Sequence, residues 1–279
     1  MSDNTRRPGP WDLAPRPRHE PDVEGTHGPQ EPPLDKGQNP FVAVVGTLLF
    51  LGVIWFFTQS LIVAVAIIFG LIVHEYGHVL AMNRLGMGPA RIYIIPLLGG
   101  LAKGQRGPRN EWEGVLVSMA GPFFGLVAAV PFFVGWFLTG NAEWLVASFV
   151  IALLNLLNLA PAPPLDGSKA LGPVLARIHP MVELGAMLLV GAIVIVWAFN
   201  RGSFILAGFL LLALFSHLRM GVRRPDGRPL TAGESLKSVG VYLGTALACV
   251  GVAATGGYLL TGDAVQGAGT MLGWLGLSQ

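Results

Sequence analysis

The chain has 279 residues, of which 52% are hydrophobic and 12% charged. A soluble domain carries about 25% charged residues, so the composition excludes an ordinary soluble globular protein. The net charge of +2 is too small to point to nucleic acid as a partner, and a single cysteine, Cys249, can form no internal disulfide.

Residues 1–40 hold nine prolines, both signs of charge and almost no large aliphatic side chains. Such a segment buries too little apolar surface to offset its ordering entropy. The expectation is a disordered tail, solvated or docking a partner. The first apolar run starts only at Phe41, so no cleavable signal peptide is expected. Charge-free runs then cover about 41–73, 114–142, 144–165, 184–200, 202–218 and 238–262. Most approach the roughly 20 residues that cross a bilayer as a helix. The polar step Thr58-Gln59-Ser60 divides the first apolar stretch into spans at about 41–57 and 61–85. Five more follow at about 113–138, 143–160, 181–199, 203–219 and 238–261. The fold class expected is an all-α polytopic membrane protein with about seven transmembrane helices over 41–262. The last residues, 263–279, are too short and glycine-rich for another span and are expected to form a C-terminal tail.

With seven spans, all but one of the 18 lysines and arginines fall on the side of the N-terminal tail; Arg201 is the exception. Basic loops stay cytoplasmic, which puts the tail and the loops after the second, fourth and sixth spans in the cytoplasm. The arginine-rich loop 219–228 is read first as part of this signal.

Residues 71–82 read LIVHEYGHVLAM. Ionisable groups inside a membrane span are costly and mark function by default. His74 and His78 are four residues apart and share a helix face. Two imidazoles so spaced can hold one zinc ion, with Glu75 beside them to take a proton from water that the metal activates. Chance or structural pairing is the alternative. A catalytic zinc wants a third protein ligand. Glu111, Glu113 and Glu143 flank the spans, and position 84, where an elongated soluble pattern would put a third histidine, is Arg84. The better candidate is Asp166 in NLLNLAPAPPLDGSKAL, on a backbone that prolines hold out of helical form. Asp166 could instead cap an amphipathic helix running to Ile178. The topology places both motifs at cytoplasmic span ends, His78 about 12 Å from the end of its helix.

HEYGH on one span and NLAPAPPLDG at the end of a later one resemble the site-2 protease family of intramembrane zinc metalloproteases, whose Asn-x-x-Pro-x-Pro-x-Leu-Asp-Gly pattern fits from Asn158 to Gly167. The resemblance covers roughly 60–170. It implies one zinc ion on His74, His78 and Asp166, with Glu75 as catalytic acid/base. It also implies Asn158 lining the site, where a packing amide is the alternative for it and for Asn155. IYIIPLLGGLAK (92–103) is similar to the family's re-entrant segment. Too short to cross and broken by Pro96 and Gly99-Gly100, it is expected to offer a strand edge to an unwound substrate, or else to be a plain loop. Where relatives have Gly-Pro-x-x-Asn, AGPFFG puts Gly125 at the asparagine position and is read as close helix packing. Neither a PDZ domain nor paired nucleotide-sensing domains are expected. The implied function is cleavage of a membrane-spanning protein substrate near the cytoplasmic face of the cell membrane, in regulated intramembrane proteolysis. A metal-ion transporter using the same ligands, or an inactive scaffold, are the competing readings.

Overall fold

A computed structural model describes residues 35–95, 99–202, 204–220, 224–225 and 227–275. Most of the expected tail, with His19 and His27, lies outside the described residues, as do Pro96, Arg223 and the last four positions.

The first two helices, α1 (Pro40–Thr58) and α2 (Leu61–Arg84), separate at the polar step. Gln59 turns left-handed at φ 53°, which ends α1, and the Ser60 side chain accepts from the Val63 N–H to start α2. Strands β1 (Arg91–Ile95) and β2 (Gly99–Lys103) form an antiparallel hairpin with Ile94 opposite Gly100. The span expected at about 113–138 is two helices, α3 (Glu111–Val127) and α4 (Val130–Thr139). The break falls just before Pro131, whose ring cannot follow a helical turn. Then come α5 (Glu143–Asn158), α6 (Asp166–Ile178), α7 (Pro180–Asn200), α8 (Phe204–Met220), α9 (Ala232–Thr261) and α10 (Ala264–Trp274). The last is an 11-residue helix within the segment expected to be a tail, and it packs back along α9.

Among the described residues, five spans are long and apolar enough to cross a membrane: α1, α2, α3 with α4, α7 and α9. At 16 and 17 residues, α5 and α8 are shorter. A 16-residue helix reaches about 24 Å against a hydrocarbon core of about 30 Å. The prolines after Asn158 explain where α5 stops, because each removes a backbone donor.

Packing order follows apolar character. α5 lies between α2 and α9, and every residue from Leu145 to Ala152 is buried. A helix apolar all round belongs in such an interior. By contrast α1 buries only Gly46 and exposes Phe41, Leu48 and Phe57, as a helix facing lipid would. α2 and α3 cross closely: a Cβ at Gly77 would come within 2.5 Å of the Ala120 carbonyl oxygen.

The outer edge of β1 is closed by the segment before α1. The Gln38 side chain donates to the Ile94 carbonyl at 3.0 Å and accepts from the Ile94 N–H at 2.8 Å, as a neighbouring strand would. Asp35 accepts from the Tyr93 hydroxyl and from Lys103 Nζ, and these bonds hold its carboxyl well below the usual carboxylate range. Gln38→Ala removes both bonds to Ile94. It should speed hydrogen exchange at that amide about fivefold, the worth of about 1 kcal/mol, and leave the buried amides of α5 unchanged.

Candidate metal centre

His74 and His78 project from one face of α2, and Asp166 reaches them from the first turn of α6. His74 Nε2 lies 3.1 Å from Asp166 Oδ2 and 3.2 Å from His78 Nε2; His78 Nε2 lies 3.2 Å from the same carboxylate oxygen. All three residues are buried. Asp166 makes no capping bond at α6, so its carboxylate is turned to the imidazoles rather than to the helix end.

The hydrogen bonds on the far sides of the rings decide what sits between them. His78 Nδ1 is 2.7 Å from the Val117 carbonyl, which can only accept, so this nitrogen carries a proton. His74 Nδ1 is 2.9 Å from Asn155 Oδ1, while Asn155 Nδ2 donates to the Ile151 carbonyl at 2.7 Å. That second bond fixes the amide, so His74 is protonated at Nδ1 as well. With both rings neutral, each turns a bare Nε2 lone pair toward the Asp166 carboxylate oxygen. Three electron-pair donors in contact repel unless a cation lies among them. One proton on one ring would balance the Asp166 charge but serve that ring alone, whereas a metal ion serves all three donors at once. Ligands about 2.0–2.1 Å from a tetrahedral zinc stand about 3.3 Å apart, close to the 3.1–3.2 Å observed. Two imidazoles and a carboxylate form a donor set that zinc accepts, and His74, His78 and Asp166 could hold a metal ion.

Room for this triangle is made by α3. A Cβ at Gly121 would overlap His78 Nε2, and one at Gly125 would overlap the Asn155 amide. AGPFFG is thus a close-packing segment, and what it packs against is the site. The loop between α5 and α6 is fastened on both flanks. Tyr242 and Ser238 of α9 donate to the Leu159 and Ala170 carbonyls at 2.6 and 2.8 Å. Ser118 of α3 donates to the Asp166 carbonyl at 2.6 Å. The long helix α9, which the motifs leave aside, therefore holds the segment that carries Asp166.

Glu75 is buried and, among the described residues, its carboxylate has no hydrogen-bond or ion-pair partner. It lies against β2: a Cβ at Gly100 would be 2.6 Å from Glu75 Cγ. Asn158 is outside the triangle. Its Nδ2 donates to the Leu154 carbonyl at 3.1 Å, and it lines a cavity of about 40 Å³ with Gly70, Leu71, His74 and Asn155. The other acids are engaged elsewhere: Glu113 with Arg109, Glu143 with Ser60, and Glu111 with Arg224 and the Leu230 N–H. Arg224 also pairs with Glu183, so the arginine-rich loop ties α3 to α7 besides carrying charge. His179 caps α7, its Nδ1 accepting from the Met181 N–H. The side chain of His217 lies outside the described residues.

Residues 62–142 match the family described as Peptidase family M50. This part of the chain resembles the site-2 protease family, as its motifs indicate. A curated relative, zinc metalloprotease MJ0392 of Methanocaldococcus jannaschii, is 30% identical over 112 residues, 38% of this chain and 32% of that protein. The match thus spans about a third of the relative's length. No solved structure matches the chain. Asp166 lies beyond the family match, so its place beside the histidines rests on geometry.

Gly121→Ala places a methyl group on the imidazoles, whereas a Cβ at Gly114 on the same helix would meet nothing nearer than Pro108 Cγ at 3.9 Å. Zinc content after purification, measured by metal analysis, should fall for Gly121→Ala and stay at the parent level for Gly114→Ala.

Proposed function

We propose that this protein is a membrane-embedded zinc endopeptidase that hydrolyses a peptide bond in or near a transmembrane segment of another protein. The observation that carries the proposal is the convergence of three buried electron-pair donors beside an unpartnered buried carboxylate. His74 and His78 through Nε2, and Asp166 through Oδ2, would hold one zinc ion. When bound, zinc supplies Lewis acidity, polarising the scissile carbonyl and bringing the pKa of water to about 7. Glu75 takes the proton of the attacking water and delivers it to the leaving amine. Asn158, on the cavity wall beside His74, faces the substrate backbone and donates to the developing oxyanion.

The hairpin supplies what a helical substrate needs, an extended partner to unwind onto. Gln38 occupies the Ile94 N–H and C=O on the outer side of β1, so those groups point away from β2. In this register the opposed Gly100, and Ala102 two residues on, turn their N–H and C=O to the other edge. The face of β2 at Gly100 packs against the Glu75 stem. A substrate strand added to β2 lies with its carbonyls near the base and the metal ligands.

Seven spans, with α5 and α8 completing the set, leave the N-terminus and the ligand loop on the cytoplasmic side of the cell membrane by the distribution of basic residues. The biological role that fits is regulated release of a membrane-held protein.

Wild type and Glu75→Gln, reconstituted with a model membrane-spanning substrate, test the proposal. The variant should keep its zinc and lose at least about a hundredfold in cleavage, the contribution of a general base. Zinc flux without peptide-bond cleavage by the wild type would establish a transporter instead, and neither activity a scaffold. Ala102→Pro removes one outward donor from β2 without touching the bonds to β1. It should lower cleavage with zinc content unchanged; full activity would end the strand-edge reading.

A further inference from the structure

We infer that Asn155 is a positioning residue of the metal centre, which locks the His74 ring so that Nε2 points to the metal, and that Gly125 exists to seat it. The inference rests on the zinc reading above. His74 and Asn155 come from different helices, α2 and α5, and both are buried. The bond from His74 Nδ1 to Asn155 Oδ1 is 2.9 Å. An amide could in principle present either end to the ring. Here the Nδ2 bond to the Ile151 carbonyl at 2.7 Å permits one orientation. Flipped, the amide would set an N–H against the ring N–H and an oxygen against a carbonyl oxygen. Asn155 thereby selects one tautomer of His74 and one ring rotation. His78 needs no such side chain, because the Val117 carbonyl does the same work for its ring.

The seat for the amide is made on a third helix. A Cβ at Gly125 of α3 would overlap Asn155 Oδ1 and crowd its Cγ and Nδ2, each at 2.6 Å. Gly125 itself is not among the metal ligands, so a methyl group there acts on the site through Asn155. This makes the role of Asn155 separable from general packing.

The test is zinc affinity of the full chain in detergent, read by competition with a chromophoric chelator and needing no substrate. Partners that orient a ligating histidine are worth about 10- to 100-fold in metal affinity. Asn155→Leu should weaken zinc binding by that factor. Gly125→Ala should weaken it similarly, and the double variant should be no worse than Asn155→Leu alone. Asn155→Asp keeps an acceptor for the Nδ1 proton and should bind zinc more tightly than Asn155→Leu. With cobalt in place of zinc, the visible spectrum should shift in Asn155→Leu and return toward wild type in Asn155→Asp. If Asn155→Leu does not fold, Gly125→Ala with the cobalt spectrum carries the test. Zinc affinity and cobalt spectra within twofold of wild type in both single variants would overturn the inference, as would additive losses in the double variant. A wild type that binds zinc tightly but cuts nothing would overturn the protease reading and leave this one standing.

Discussion

Two bare imidazole nitrogens and a carboxylate oxygen held about 3.2 Å apart in an apolar interior form an arrangement that demands a positive charge. Water could screen such a cluster at a surface; here all three groups are buried. Much of the bundle can be understood as what brings these donors together and keeps them from relaxing apart. α2 supplies two of them at i and i+4. The third comes 88 positions after His78, across a break in helix that the prolines after Asn158 impose. The bundle has to fix that loop relative to α2, and it does so through α3 and α9. Ser118 and Ser238 donate to the Asp166 and Ala170 carbonyls at the start of α6, and Tyr242 to the Leu159 carbonyl at the end of α5.

Small residues carry the tolerance of the site. Helices in lipid gain little from burying apolar surface against one another, and close backbone approach at glycine is the usual substitute. In α3 that need coincides with a functional one. Gly77 and Ala120 let α2 and α3 cross closely, and Gly121 and Gly125 then leave space for an imidazole and an amide. The hairpin uses the same device at Gly100, where the missing side chain admits the Glu75 stem. Glu75 thus sits on α2 beside His74 and packs against β2.

The local features are legible in the sequence because each is written within a few residues. The break at Thr58-Gln59-Ser60, the shared face of His74 and His78, the strand-like character around 92–103 and the amphipathic run to Ile178 all depend on near neighbours. What sequence does not carry is contact between distant elements. Asn155 looks like any packing amide on α5 until His74 and Gly125 are seen on either side of it. Nothing at Tyr242 or Ser238 signals that the loop 83 and 68 residues earlier needs a donor. Boundaries moved where chemistry near a helix end intervened: Asn110 caps α3 by accepting from the Glu113 N–H, and Thr231 starts α9 with a capping box to Glu234, both upstream of the apolar run. Gly125 reads in the sequence as a site of close helix packing. In the fold what it packs against is the Asn155 amide of the facing helix α5.

The protease reading requires that α2 and the first turn of α6 meet on a single divalent cation. Zinc K-edge X-ray absorption on the purified, full-length protein tests it most directly, with metal analysis of the same sample. The account predicts one zinc per chain in a first shell of nitrogen and oxygen, with the outer-shell scattering of two imidazole rings, and loss of that signal in Asp166→Ala. Sulfur scattering from Cys249, or an unchanged spectrum after removal of the Asp166 carboxylate, would contradict it.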